Sequence, residues 1–167
     1  MPDFTTSSRV LRALVLVVVL ALACGAAAAQ APARSSGQSL YLPVYSHIWY
    51  GEVESSGAPA KTLVSVLVSV RNTDPAKPIR VTSAQYYDSA GKRIKEYVPT
   101  PRGIAPMGTL ELYVPTSDDS GGSGANFVII WKADGGVSPP VVEALHANMT
   151  VGRSVVFITS ARVMQSD

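Results

Sequence analysis

A chain of 167 residues with 14 basic and 12 acidic side chains carries a net charge of +2, and no basic block stands out in it. That balance leaves no electrostatic footprint for nucleic acid. Cys24 is the single cysteine and His47 and His146 are the only histidines, so an intramolecular disulfide is excluded and these residues cannot by themselves assemble an ordinary zinc site.

The N-terminal segment predicts export. Arg9 and Arg12 precede an uncharged run from Ala13 to Ala23, and Ala26-Ala27-Ala28-Ala29-Gln30 follows. A positive n-region, an apolar h-region and a small-residue exit make a secretory signal peptide. The run is shorter than the roughly twenty apolar residues of a spanning helix. Ala21-Leu22-Ala23-Cys24-Gly25 resembles a bacterial lipobox in which Ala and Leu stand in reversed order. Two outcomes stay open. Lipidation of Cys24 gives a leader of residues 1–23 and a membrane-anchored protein; cleavage after Ala29 gives a leader of residues 1–29 and a soluble periplasmic one. In the second case Asp3, Arg9 and Arg12 leave with the leader, and 12 basic residues face 11 acidic ones. The remainder, about 138 residues, is one domain able to bury its own core.

Residues 30–38 have no periodicity and read as a flexible lead-in. From residue 39 to 164 the period is two. Leu40, Leu42 and Val44 form a first run, Val64, Val66, Val68 and Val70 a second, and Ile79, Val81 and Ser83 open a third that ends at Tyr86-Tyr87. Ile94 and Val98 mark a fourth, and Leu110, Leu112 and Val114 a fifth. Phe127, Ile129 and Trp131 form a sixth, Val141 to Leu145 a seventh, and Val155 to Ile158 an eighth. Such alternation predicts half-buried strands. The seventh run contains good helix formers, but its β-branched opening and short length favour a strand. The separators are turn chemistry, and Asp88-Ser89-Ala90-Gly91 is short enough to close a hairpin with Gly91 at positive φ. Asn72 or Asp74 is expected to cap backbone N–H groups at a strand end. The predicted fold is all-β: a single antiparallel β-sandwich of Ig-like topology.

Candidates for chemistry are few. Asp118-Asp119-Ser120-Gly121-Gly122-Ser123-Gly124 resembles a calcium or phosphate loop, but it lacks the spaced ligands of an EF-hand and the lysine of a P-loop. It reads as an exposed loop feeding a buried strand, with Asp118 and Asp119 as the metal candidates. His47 reads as a partly buried strand-end residue and His146 as part of a polar strand face. No nucleophile–base arrangement is present in the spacing. Aromatic residues are favoured in strands, and a functional version has some of them lining a groove; the candidate binding surface is Tyr45, His47, Trp49 and Asn126.

Four blocks taken together resemble a known family: Tyr41-Leu42-Pro43-Val44-Tyr45-Ser46-His47-Ile48, Val70-Arg71-Asn72-Thr73-Asp74, Tyr86-Tyr87-Asp88-Ser89-Ala90-Gly91-Lys92 and Gly121-Gly122-Ser123-Gly124-Ala125-Asn126-Phe127. The family is the bacterial one catalogued as domain of unknown function thirty-one twenty-four. The resemblance runs from about Gln38 to about Phe157, and it implies an exported or lipid-anchored bacterial protein with no activity to carry over. The expected function is a non-enzymatic envelope module, without a cofactor, that binds a partner protein, a glycan or a small ligand. Membrane contact is expected only through a lipid on Cys24. The alternative is a hydrolase or metal-dependent enzyme using His47 and the acidic loop residues.

Overall fold

The computed structural model describes residues 33–166 apart from residues 54 and 56. The leader, Cys24 and residues 30–32 of the lead-in lie outside the described residues. Strands follow in the order β1 (Ser35–Pro43), β2 (His47–Tyr50), β3 (Ala60–Leu63), β4 (Ser65–Arg71), β5 (Ile79–Tyr87) and β6 (Arg93–Glu96). Then come β7 (Arg102–Ile104), β8 (Thr109–Val114), β9 (Asn126–Val137), β10 (Val141–Thr150), β11 (Arg153–Ser160) and β12 (Arg162–Ser166). Every described pairing is antiparallel.

One sheet has the order β12-β1-β9-β5-β6, with β7 added to β5; the other has the order β11-β10-β4-β8, and β2 and β3 form a separate hairpin. The chain crosses between the sheets repeatedly, so their inner faces share one core. Alternation decides which side chains reach it. Leu40, Leu42, Phe127, Ile129 and Trp131 point inward from the first sheet, and Val66, Val68, Val70, Leu110, Leu112 and Val114 from the second. The all-β sandwich is as the alternation predicts.

Three local expectations are corrected. The lead-in ends earlier than Gln38, because β1 already runs from Ser35. Gly37 and Gln38 pair with Lys132 and Trp131 of β9, and the indole N–H of Trp131 donates to Gln38 Oε1 at 3.3 Å. A polar stretch becomes a strand here because its neighbours take up its backbone groups, a gain that side-chain alternation does not register. In β5 the register shifts between Val81 and Ser83, so Ala84 and Tyr86, rather than Ser83, continue the inward face. A bulge of this kind inserts one residue and swaps the faces beyond it. On β6, Ile94 is exposed, while Val98, past the strand end, is buried. Glu96 makes that turn, accepting from the N–H groups of Ala84 and Val98. Strands β2, β3, β7 and β12 carry no alternation that predicts them.

The turn chemistry is as expected. Asn72 Oδ1 accepts from Asp74 N, and Asp74 accepts from the N–H groups of Ala76, Lys77 and Ser138. Those backbone donors, helped by Arg34 at 2.8 Å, hold the Asp74 carboxyl down at about 2 despite its burial. The Asp88 N–H donates to Lys92 O, closing the β5–β6 hairpin over Gly91 at φ 79°.

Candidate functional site

The glycine-rich loop is where sequence and structure part most. Gly121 is buried, and a Cβ there would stand 1.9 Å from Tyr86 Oη and 2.7 Å from Ala125 Cβ. The loop therefore needs a glycine so that it can lie against the Tyr86 hydroxyl. Tyr86 is itself buried and stacked on Phe127 at 4.9 Å. Burial pushes its phenol pKa well above the ordinary value, so the ring stays neutral.

Backbone bonds fasten the loop on two sides. Ser89 N donates to Gly121 O, Gly124 N donates to Ser89 Oγ, Ser46 N donates to Gly122 O and Val44 N donates to Ala125 O. Three of the four segments that carry the family resemblance thus meet in one knot, and their roles there are structural. Asp118 Oδ1 is occupied by the N–H and hydroxyl of Ser120 at 3.2 and 2.5 Å, and Asp119 faces Lys61 at 3.5 Å. Among the described residues no three acidic, histidine or cysteine side chains gather as metal ligands.

The β2–β3 hairpin rises from this knot. Ser46 is fully buried, its hydroxyl lying 3.3 and 3.2 Å from the carbonyls of Asp119 and Gly122 and 3.4 Å from His47 Nδ1. His47 is buried, and its pKa is lowered, first by that burial and then by Lys61, against the opposing pull of Asp119. Its ring meets Trp49 edge-on at 5.0 Å, and Trp49 is 48% exposed. Trp49 pairs directly with Lys61, and His47 with Leu63. Directly opposed and alternate residues share a face of a hairpin, so an exposed indole and a lysine leave the same side.

Beside β3 lies a cleft of about 360 Å³ lined by Lys61, Thr62, Leu63, Thr116, Asn148, Thr150, Arg153 and Val155. Its far wall is the turn joining β10 to β11. Arg153 lies over the Tyr50 ring at 4.2 Å and donates to Tyr50 Oη at 3.1 Å, while Asn148 Nδ2 donates to Leu63 O at 2.6 Å. Two cations, three hydroxyls and a carboxamide converge, and among the described residues no carboxylate lines the cleft. Lys61 and Arg153 were not legible as site residues: each stands in a polar stretch whose neighbours in space come from distant strands.

The remaining candidates lie apart. Tyr45 packs edge-on against His146 and Phe157, each at 5.7 Å, and its N–H donates to His146 Nε2 at 3.1 Å. His146 is not on a polar strand face but fully buried, stacked on Phe157 at 4.3 Å. The face is set by Val142 and Ala144, which share its side of β10 and point inward with it. Burial lowers its pKa to about 4. Asn126 opens β9, paired with Pro43 and Tyr87 in the first sheet. Of the four residues named as a surface, the structure brings His47 and Trp49 together.

No curated protein matches the chain. A solved structure, that of Thermotoga maritima 1070, is similar at 9% identity and a TM-score of 0.43, with 78% of this chain and 97% of that one covered. The family model described as "Protein of unknown function (DUF3124)" matches residues 37–164, nearly the whole sandwich, and the chain belongs to that family.

Proposed function

We propose that this chain is an exported envelope domain that recognises a partner protein, a glycan or a small ligand and performs no chemistry on it. The observation that carries this reading is the asymmetry of the β2–β3 hairpin. Its exposed side offers Trp49 and Lys61, whereas the groups a hydrolase would use are locked: Ser46 is buried and bonded to loop carbonyls, and His47 is walled in beneath Trp49. An exposed indole is a typical recognition element, since its flat ring offers a large apolar face. Export is supported by the charged start, apolar run and small-residue exit of the first thirty residues.

The test immobilises the mature domain, wild type and Trp49→Ala, and passes a bacterial envelope extract over both. The expected result is that the wild type retains one ligand class and Trp49→Ala loses it. The opposing result is turnover of an ester, peptide or glycoside that collapses in His47→Ala or Asp119→Ala while the fold persists. That result would establish the enzyme, for which the upward pull of the Asp119 carboxylate on the His47 pKa is the favourable indication. The anchoring question has its own readout. A free N-terminus at Gln30 makes the protein soluble, and an acylated Cys24, released from membranes by Cys24→Ser, makes it a lipoprotein.

A further inference from the structure

Building on the recognition reading, we infer that the cleft between β3 and the β10–β11 turn is a subsite for an acidic sugar, a glycan unit bearing a carboxylate. Its lining supplies what such a unit needs and omits what would repel it. Lys61 and Arg153 line it from different strands, and among the described residues no carboxylate lines the space between.

Both cations are available. Lys61 contacts Asp119 at 3.5 Å with both side chains about half exposed, at 42% and 54%, so the pair is loose and the ammonium is free to turn. Arg153 spends one donor on Tyr50 Oη and rests its flat face on that ring, which pre-orients the remaining N–H fork. A planar fork suits a carboxylate.

The rest of the lining addresses hydroxyls. Thr62 and Thr116 present hydroxyls that both donate and accept, and Asn148, whose amide nitrogen is used on Leu63 O, keeps its Oδ1 as an acceptor. Thr150 donates to Arg153 O and retains its acceptor lone pairs. Trp49, opposite Lys61 in the ladder, does not line the cleft; its exposed ring lies on the Lys61 side of the hairpin and is available to a further unit of the same glycan. The volume, about 360 Å³, falls within the range of roughly 300–1,000 Å³ that holds organic ligands. A cleft of about 340 Å³ beside β1 and β12 is of similar size, but its cation, Arg34, is already committed to Asp74 and Gly136 O.

The experiment is calorimetric titration of the mature protein with a uronic-acid tetrasaccharide, a neutral tetrasaccharide of equal length and inorganic phosphate. The acidic tetrasaccharide should bind at least about tenfold more tightly than either control, since a hydrogen bond to a charged group contributes about that factor. Added salt should weaken it. Lys61→Gln and Arg153→Gln, at exposed positions, should each weaken it about tenfold with an unchanged melting temperature, and Trp49→Ala should weaken it as well. Equal binding of phosphate would make the cleft a simple anion site and overturn the proposal. So would unchanged affinity in both cation variants, or no binding of the acidic tetrasaccharide. If the neutral tetrasaccharide binds as well and Trp49→Ala abolishes it, the acidic class falls while the recognition reading stands. If no saccharide binds and the immobilised domain also retains nothing from the envelope extract, both fall.

Discussion

The glycine loop from Asp118 to Ala125 and the β2–β3 hairpin touch each other, yet they have opposite characters. The loop is composed like a ligand cradle, and it serves as a plug, pressed on Tyr86 and bonded to Ser46 and Ser89. The hairpin has no alternation, and it carries the exposed indole and one wall of the polar cleft. Glycine in the first case answers a steric demand from a buried ring. In the second, exposure follows from the hairpin standing outside both sheets, bonded at its base and touched by Arg153 at Tyr50. Composition alone does not show what either region touches.

The largest effect is expected beneath the plug. Phe127, stacked on Tyr86 and edge-on to Tyr97, supports the ring against which the plug lies. Phe127→Ala should cost about 3–5 kcal/mol in urea unfolding, a large share of a total of about 5–15. A silent variant would contradict the packing at this end.

His146 supplies a pH-dependent test of the core next to Tyr45. Its pKa falls from 6.5 to about 4 on folding, so the unfolded chain binds the proton first as pH drops. The associated stability is fully present above 6.5 and is lost progressively down to about 4, by roughly 3 kcal/mol in all. His146→Gln should flatten the urea midpoint between pH 7 and pH 4.5. A wild-type midpoint that does not change over that interval would mean the imidazole is not held neutral.

Gly121→Ala should cost about 1–3 kcal/mol, as overpacking does. Because the tightest contact is with Tyr86 Oη, Tyr86→Phe in the same chain should recover part of that loss, the contacts with Ala125 Cβ and the ring carbon Cζ remaining. Tyr86→Phe alone should be close to neutral, since the buried hydroxyl has no hydrogen-bond partner among the described residues. Additive losses in the double variant would place the strain elsewhere in the loop.

The smallest effect concerns the acidic residues. Asp118→Ala and Asp119→Ala should each change stability by less than about 1 kcal/mol, the scale of exposed pairs and local turns. Calcium should leave the melting temperature unchanged. A calcium-induced rise that disappears in both variants would turn the plug back into a metal loop.

Period-two patterning was enough for the eight main strands, and turn chemistry was enough for the caps at Asn72 and Asp74 and the hairpin at Gly91. These features are local: a pleated strand with one buried face writes its face into every second residue, and an Asx cap needs only the next few N–H groups. The family, too, was legible, because its four blocks are stretches of contiguous residues. What only the tertiary structure decided was every matter of partnership. Ser35 to Gln38 became a strand because β9 lay beside them, and Ser83 left the core face because β5 bulged against the same strand. His146 turned inward because it shares a side of β10 with Ala144. Lys61 and Arg153 face one cleft although ninety-odd residues separate them, since strand order, not chain order, sets which side chains meet.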